Sequence, residues 1–333
     1  MAIKETRQRD KLAAVSAYYE EVWVPRMLMG HNEASAAQHF GLVGEFGLGG
    51  VSFEKMNTNQ RVHARIRKGP VPLQRLPRPS YASEYQFQIR CLDLGCGVGG
   101  TMMFMHDKIH ATSSPIDSRG ICSSPREQEA AEHLSGIPGE HIFVQDYHDP
   151  LQGGPYGAIY AIESLCHSWD RARVIDNIWE ALVPGGMFLC MDAELTSSSL
   201  VKKQGSRWSP QLRAFYSDVC IGMKCPDLYE CNLANLLEDR GFEALEYHNY
   251  TPDVAPDVFE SAGKAFYKLY GKDFRGSVAV REHLIGCIGL AGLLCHNVAR
   301  YGMHVAVKPG RTSEDHRACE PAQDTGKQQD GYS

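Results

Sequence analysis

The segment YAIESLCHS, residues 160–168, places a carboxylate and an imidazole at the end of an apolar run. Glu163 follows the run directly, and His167 comes four residues later. In open α/β sheets, ligands bind outside the carboxyl ends of the strands. A carboxylate at such an end can stabilise a developing cation or accept a proton, whereas an ion pair is its structural alternative. For His167 a proton relay and a helix-capping or packing role are both open.

A glycine-rich turn precedes this segment. CLDLGCGVGG, residues 91–100, follows an apolar run and opens a helical pattern, so its glycines allow close approach of the backbone to a ligand. Its GxGxG spacing differs from the GxGxxG of dinucleotide sites, and GGTMM lacks the Lys-Ser or Lys-Thr pair of a P-loop. Asp93 stands just before the turn, where its carboxylate could face the ligand.

From residue 89 onward, short apolar runs alternate with amphipathic segments, which is typical of a doubly wound α/β sheet. The apolar runs predict strands at 89–94, 141–145, 156–162, 186–192, 242–249 and 303–307, with a further strand ending near Cys122. The amphipathic segments predict helices at DRARVIDNIWEAL, 208–221, 228–240, 256–270 and 278–300, and one after the N-cap Ser124.

The remaining segments suggest three parts of the chain. We predict an N-terminal helical cap with a lid loop at 1–88, a main domain at 89–310 and a disordered tail at 311–333. Helical insertions after residue 196 are expected to bind the substrate. In the last predicted helix, Gly286, Gly289 and Gly292 recur every third residue, which predicts a helix face that another element approaches closely.

Composition and charge exclude several classes of function. The net charge of -6 comes without a basic helical stripe, so a nucleic-acid partner is not expected. The charged N-terminus has no apolar core of a signal peptide, which predicts a cytoplasmic protein. The apolar run 284–295 is too short to cross a bilayer and predicts a buried helix. Peripheral membrane contact and homo-oligomer formation both remain compatible with the sequence.

Metal ligands are not predicted from sequence spacing. The eleven cysteines contain no CxxC pair, which argues against a zinc site and a disulfide framework. His31, His39 and His63 lie near one another without metal-site spacing. We therefore expect no metal.

Three segments resemble one enzyme family in the expected order. LDLGCGVGG resembles the S-adenosylmethionine motif of class I methyltransferases, and GICSSPREQ is similar to the GITLSP segment of members that methylate small lipophilic molecules. YAIESLCHS resembles the YAIEATCHA segment of sterol C-methyltransferases. With LVPGG, the resemblance covers about residues 89–192, while YYEEVW and HFG near the N-terminus match more loosely.

The resemblance implies a seven-strand Rossmann-like sheet with an antiparallel last strand and S-adenosylmethionine across the carboxyl ends of the strands. It implies contacts to the methionine part of the cofactor from Asp93, Gly95, Cys96, Gly97 and Gly99. It further places Asp146, beside Tyr147, at the adenine, and Tyr18 or Tyr19 over the cofactor carboxylate. Cys122 occupies the position where many methyltransferases hold the ribose with an acid, so ribose anchoring is expected to be weaker.

The expected reaction is methylation of an isoprenoid alkene at carbon. Such a reaction leaves a carbocation on the acceptor, which Glu163 would stabilise and deprotonate. The lipophilic acceptor is expected to be sterol-like, another terpenoid or a prenyl diphosphate, the last bound by the basic run 61–68. Two alternatives stay open: an O- or N-methyltransferase of a lipophilic natural product, and a catalytically silent subunit that binds the cofactor.

Overall fold

The computed structural model contains a mixed sheet with helices packed against both of its faces. The structure describes residues 10, 13–23, 62, 64–66, 89–109, 116–199, 208–226, 233–271, 274 and 276–310. The predicted tail at 311–333, most of the lid loop, and His31, His39 and His63 lie outside the described residues. The predicted division of the chain at residues 88 and 310 stays a prediction.

Seven strands form one sheet in the order β3-β2-β1-β4-β5-β7-β6. Their bounds are β1 Ile89–Leu94, β2 Ile116–Cys122, β3 Ile142–Val144, β4 Tyr156–Ile162, β5 Leu182–Leu195, β6 Glu243–Asn249 and β7 Ala299–Val307. The first five strands pair in parallel, and β7 pairs antiparallel with both β5 and β6. The predicted Rossmann-like sheet with its antiparallel last strand is confirmed.

Seven α-helices in the described part of the chain are numbered α1 to α7 in chain order. Their bounds are α1 Gly100–Ile109, α2 Pro125–Ser135, α3 Arg171–Ala181, α4 Pro210–Gly222, α5 Leu233–Arg240, α6 Thr251–Tyr270 and α7 Val278–Cys295. A separate N-terminal helical segment covers 13–23 and is π-helical over Tyr19–Trp23. The helices α4 and α5 lie between β5 and β6 in the chain, and α6 and α7 lie between β6 and β7.

Side-chain caps explain where four of the helices begin. Ser124, Asp170, Ser209 and Ser277 each precede a helix and accept a hydrogen bond from a backbone N–H of its first turn. Such caps satisfy donors that have no partner within the helix. The predicted cap at Ser124 is therefore confirmed, and Pro125 follows it as the first helical residue.

Several predicted boundaries differ from the structure. Strand β5, predicted at 186–192, covers Leu182–Leu195, and β7, predicted at 303–307, begins at Ala299. Two helix boundaries are also wrong. The helix predicted at 278–300 ends at Cys295, because Asn297 adopts a left-handed φ of 53° and Ala299 already pairs with Leu195 of β5. The helix predicted at 256–270 begins at Thr251, although Pro256 lies inside it. Proline is tolerated in the first turn of a helix, so Pro256 suggested a helix start that lies five residues too late.

The core occupies both faces of the sheet because alternate strand residues point to opposite sides. Leu92, Ile159 and Phe188 pack on one face with α3 and α5. Tyr160, Leu189 and Met191 pack on the other face with α6 and α7. The helices cover the two faces of the sheet, and the carboxyl ends of β1, β2 and β4 line a cavity at its edge.

Helix α7 is long and apolar enough to cross a membrane by length and composition alone, with a mean hydropathy of 1.6 and half of the helix buried. A buried core helix meets the same criterion, and α7 lies against the sheet and against α4 and α6. The stretch that meets this criterion is the whole 18-residue helix, including Arg281 and Glu282, and is longer than the apolar run 284–295. The prediction of a helix packed in the protein core fits these contacts.

The glycine face of α7 lies against α4, as the spacing predicts. A Cβ atom at Gly289 would lie 2.7 Å from the carbonyl oxygen of Phe215, and one at Gly292 would lie 2.6 Å from the Phe215 ring. At Gly286 the nearest atoms belong to Met223 and Gly222. The two helices can approach this closely only because these side chains are missing.

Gly289→Ala should destabilise the protein, because the added methyl meets a backbone carbonyl that cannot rotate away. We expect a loss of about 1 to 3 kcal/mol in the free energy of unfolding, measured by chemical denaturation. Gly263→Ala on α6 is the matched control, since nothing lies within 4 Å of its added Cβ. That variant should gain about 0.5 to 1 kcal/mol from the better helix former. Equal stability changes at the two positions would contradict the close packing of α4 and α7.

Candidate active site

A cavity of about 260 Å³ lies at the carboxyl ends of β1, β2 and β4. It brings together ten of the residues singled out in the sequence: Tyr19, Asp93, Gly95, Cys96, Gly97, Cys122, Asp146, Tyr147, Glu163 and His167. The segment after α4 and the N-terminal helical segment complete the wall. The roles assigned to these residues stay predictions, but one cavity can serve all of them.

Two of the singled-out residues lie outside the cavity lining. The Tyr18 hydroxyl is 2.8 Å from Nδ1 of His283 on α7, so Tyr18 fixes the N-terminal segment to that helix. Of the two tyrosines considered for the lid, Tyr19 is the one that faces the cavity. Gly99 stabilises the turn, because its N–H donates a hydrogen bond to the Cys96 carbonyl at 2.9 Å.

The glycine turn depends on residues without a Cβ atom. Gly95, Gly97 and Gly99 have φ angles of 98°, 52° and 80°, a region that other residues rarely adopt. A Cβ at Gly95 would also overlap the Cβ atom of Ser164. The Gly95 and Cys96 N–H groups donate to the Ile121 carbonyl at 3.0 and 2.8 Å, which anchors the turn on β2.

Asp93 at the end of β1 is a buried carboxyl group that faces this cavity. Its side chain is only 3% exposed. Burial raises the pKa of Asp93 to about 8, because the charged form loses its hydration. A cationic ligand group beside Asp93 would favour the ionised carboxylate.

Glu127, an acid in the first turn of α2, also enters the cavity. Cys122 directs its thiol toward the carbonyl oxygens of Ser124 and Phe143, at 3.5 and 3.8 Å. Glu127 lines the same wall and is 2% exposed, and its Oε2 accepts hydrogen bonds from the Ser123 N–H and hydroxyl at 2.9 and 2.6 Å. Burial raises the pKa of Glu127. Glu127 therefore brings a carboxylate to the side of the cavity where Cys122 lacks one.

Asp146 is held by a chain of hydrogen bonds at the other end of the cavity. Nδ1 of His148 lies 2.6 Å from Oδ1 of Asp146, and Nε2 of the same ring lies 2.9 Å from the Ser168 hydroxyl. Although burial alone raises it, hydrogen bonds from the side chain and backbone of His148 hold the pKa of Asp146 below its usual value. The indole of Trp169 stacks on the His148 ring at 4.1 Å.

This order of serine, histidine and aspartate resembles a hydrolytic triad but lacks an accessible nucleophile. Ser168 is 1% exposed and is absent from the cavity wall, whereas Asp146 and His148 line it. The Ser168 hydroxyl also accepts the Asp170 N–H at 3.2 Å. The chain of hydrogen bonds therefore positions the Asp146 carboxylate.

Glu163 leaves the end of β4 in a constrained conformation. Its φ of 50° is unusual for a residue with a side chain, and its N–H donates to the Met191 carbonyl at 2.8 Å. The Tyr301 hydroxyl donates to Oε1 of Glu163 at 2.7 Å. Burial and the adjacent Glu163 raise the pKa of Tyr301, so the phenol stays a proton donor. Tyr301 was missed in the sequence because it lies on β7, far from Glu163 along the chain.

His167 connects the turn after β4 to two other elements. Its Nε2 lies 2.8 Å from the Tyr19 hydroxyl, and its Nδ1 lies 3.3 Å from the Lys224 carbonyl. Both ring nitrogens thus have partners other than Glu163. A proton relay from Glu163 to His167 stays a prediction. Neither of these two hydrogen bonds connects His167 directly to Glu163.

Carboxyl groups outnumber lysine and arginine side chains on the described part of the cavity wall. Four carboxyl groups line its described part, from Asp93, Glu127, Asp146 and Glu163. Lys224 is the lining lysine among the described residues, and its Nζ pairs with Oε2 of Glu282 at 2.7 Å. This arrangement favours cationic and hydroxyl-bearing ligands over anionic ones.

The fold and this cavity define a class I methyltransferase, in which S-adenosylmethionine is the methyl donor. The model of the family described as "Methyltransferase domain" matches residues 60–247, which is more than half of the chain. The chain belongs to this methyltransferase family.

Two curated relatives and one solved structure illustrate the similarity. A sterol 24-C-methyltransferase of Schizosaccharomyces pombe is 24% identical over 59% of this chain and 51% of the relative. An O-methyltransferase of Aspergillus sclerotiorum is 26% identical over 50% of this chain and 59% of the relative. The geranyl diphosphate C-methyltransferase of Streptomyces coelicolor superposes with a TM-score of 0.62 at 12% identity, over 90% of this chain and 98% of that one. The chain therefore spans between half and three fifths of these two curated relatives.

The residues present fit S-adenosylmethionine. The cofactor carries a sulfonium, an amino acid end, ribose hydroxyls and an adenine. The glycine turn leaves room for close backbone approach, and the buried Asp93 and Glu127 supply acceptors for ammonium and hydroxyl groups. Asp146 would hold the adenine amino group, since His148 fixes its carboxylate. The cavity thus offers hydrogen-bond acceptors to the cationic and hydroxyl-bearing parts of the cofactor.

Gly97→Arg should abolish cofactor binding while the protein stays folded, because the side chain enters the cavity at a left-handed backbone position. Calorimetric titration with S-adenosylhomocysteine measures this loss. Gly136→Arg is the matched control, since Gly136 also has a left-handed φ of 66° but has open space around it at the end of α2. That control should lose about 1 kcal/mol of stability and keep its affinity. Unchanged affinity in Gly97→Arg would refute the placement of the cofactor.

Proposed function

We propose that the protein transfers the methyl group of S-adenosylmethionine to a carbon of a neutral isoprenoid alkene, sterol-like or otherwise terpenoid. The observation that carries the proposal is Glu163, a carboxylate at the end of β4 that lines the cavity and is held by Tyr301. The similarity to a sterol 24-C-methyltransferase supports the same reaction.

Bound S-adenosylmethionine supplies an electrophilic methyl group on a positively charged sulfur. When the π electrons of an alkene form the new carbon–carbon bond, the positive charge passes to the acceptor. The Glu163 carboxylate stabilises this charge in a site shielded from water, and then accepts a proton from a carbon next to the cation. The electron pair of the broken C–H bond forms the new double bond, so the product is neutral.

Tyr301 controls how Glu163 performs this step. A hydrogen bond from the Tyr301 hydroxyl occupies Oε1, and the φ of Glu163 fixes the direction of the side chain. The hydrogen bond favours the ionised carboxylate over the acid.

The charges of the site support a neutral acceptor over a prenyl diphosphate. Arg65, a residue of the basic run expected to bind a diphosphate, pairs with Glu246 on β6 at 2.5 Å and is not among the cavity-lining residues. Arg61 and Arg67 lie outside the described residues. A diphosphate would enter a cavity whose carboxyl groups include the ionised Asp146, which disfavours its binding.

The second candidate is O-methylation of a lipophilic natural product. The similarity to a fungal O-methyltransferase supports it. In that reaction Glu163 would accept the hydroxyl proton of the acceptor as the oxygen attacks the methyl group. The two candidates share the cofactor and differ in the atom that carries the methyl group in the product.

Glu163→Gln separates catalysis from cofactor binding. The amide keeps the shape of the side chain but removes the charge, so turnover should fall by about a hundredfold or more. The affinity for S-adenosylhomocysteine should stay within about threefold, as measured by calorimetry. Glu260→Gln, an exposed position on α6 paired with Lys264, is the control and should leave both unchanged. Near-normal turnover of Glu163→Gln would assign Glu163 a structural role.

The acceptor is tested by a panel of sterols, linear terpenes, prenyl diphosphates and phenols, each incubated with S-adenosylmethionine labelled with ¹³C in the methyl group. We expect a product whose labelled methyl is bonded to carbon, identified by its NMR chemical shift and couplings. Neutral acceptors should react in preference to their diphosphates. Label found solely on oxygen would replace the proposal by the second candidate, and methylation of diphosphates alone would contradict the electrostatic argument.

A further inference from the structure

Three potential metal ligands meet on the wall of the cavity. They are Cys166 and His167 in the turn after β4, and Cys225 in the segment after α4. One ligand atom from each residue lies within 4.8 Å of the others. Cysteine spacing along the chain does not indicate this cluster, because only the fold brings Cys225 to Cys166 and His167.

The chemistry of these three donors selects the metal. Two thiolates and one imidazole form a soft set that suits Zn²⁺, whereas Mg²⁺ requires oxygen ligands. In a tetrahedral zinc site, ligand atoms are separated by roughly 3.5 to 3.8 Å, as follows from the bond lengths of about 2.3 Å to sulfur and 2.0 Å to nitrogen. The ligand atoms are at most 4.8 Å apart, so they would have to approach one another by about 1.3 Å or less to reach that geometry.

The surroundings of the cluster resemble the outer ligand sphere of metal sites. The Lys224 carbonyl, one residue before Cys225, is 3.3 Å from Nδ1 of His167, so the imidazole lies against the segment that carries Cys225. The Asp192 carboxylate accepts the Cys166 N–H at 2.9 Å and fixes the backbone of that ligand. The Tyr19 hydroxyl, 2.8 Å from Nε2, stands beside the position of a fourth ligand.

A cysteine pair in a core can also be plain apolar packing or a disulfide. Neither explanation involves the imidazole of His167, which reaches the two sulfurs and has its Nδ1 oriented by a backbone carbonyl. His167 and Cys225 line the cavity, so an ion has a path to the cluster from solvent.

We propose that Cys166, His167 and Cys225 bind one Zn²⁺ ion with two thiolates and one imidazole, and that the fourth position faces Tyr19 and the cavity. The ion would connect the turn after β4, which carries Glu163, to the segment after α4 and to the N-terminal segment. It would thereby fix the wall of the cavity on the side of the helical insertions. The proposal is independent of the identity of the acceptor.

Cobalt is the probe for this site. The full chain, reduced and freed of metal with a chelator, is titrated with Co²⁺ while its absorption spectrum is recorded. We expect one equivalent to bind, with thiolate-to-cobalt charge-transfer absorption and the intense visible bands of a tetrahedral ion, and we expect Zn²⁺ to displace it. Cys225→Ser should weaken Co²⁺ binding by about a hundredfold or more. Cys295→Ser, which removes an exposed cysteine at the end of α7, should leave binding unchanged.

Several results would overturn the proposal. These are the absence of thiolate charge transfer in the wild-type titration, equal Co²⁺ binding in Cys225→Ser, and two thiols that become titratable only after reduction, which would identify a disulfide. If Cys225→Ser fails to fold, X-ray absorption of the zinc-loaded wild type decides. A first shell of two sulfur atoms with nitrogen supports the site, and a shell of nitrogen and oxygen alone rejects it.

Discussion

The central constraint of this structure is the burial of carboxyl groups at the ends of parallel strands. Taking a carboxylate out of water is unfavourable unless hydrogen bonds or a cation compensate for the lost hydration. Asp146 is hydrogen-bonded to His148, Glu127 to Ser123 and Glu163 to Tyr301. At Asp93 the desolvation dominates, so its pKa is raised to about 8. A cationic ligand in this cavity relieves that cost, which connects the electrostatics of the fold to the methyl donor.

The antiparallel last strand has a direct part in the site. Because β7 runs beside β5, it places Tyr301 where its hydroxyl reaches Glu163 at the end of β4. The helices α6 and α7 precede β7 in the chain, and α7 also contacts the N-terminal segment through His283 and Tyr18. The same insertions that would shape the acceptor pocket therefore position the proposed catalytic carboxylate.

The sequence predicts the strands better than the environment of the site. The strands at 89–94 and 156–162 are found with the predicted bounds because each is an apolar run bounded by polar or turn residues. The antiparallel direction of the last strand followed from the resemblance to a family, since an apolar run carries no information on the direction of its neighbours. The C-terminal end of α7 was misjudged because the apolar pattern continues into β7, while a left-handed Asn297 stops the helix.

Contacts between distant segments explain what the sequence could not provide. Tyr301 beside Glu163, Glu127 at the cavity wall and Cys225 beside Cys166 all require the fold, and their local patterns indicate a strand, a helix cap and a core cysteine. Glu127 had a detectable signal, since an acid in the first turn of a helix after β2 lies close to the carboxyl ends of the strands. For the other two residues no local signal exists.

The proposed reaction depends on the direction in which the cofactor lies in the cavity. A crystal structure of the protein with S-adenosylhomocysteine tests that direction, because the sulfur marks the position from which the methyl group leaves. We predict the sulfur on the side of Glu163, the adenine beside Asp146 and the amino group near Asp93. A ligand bound in the reverse direction, with the sulfur remote from Glu163, would contradict the account, as would binding outside the cavity.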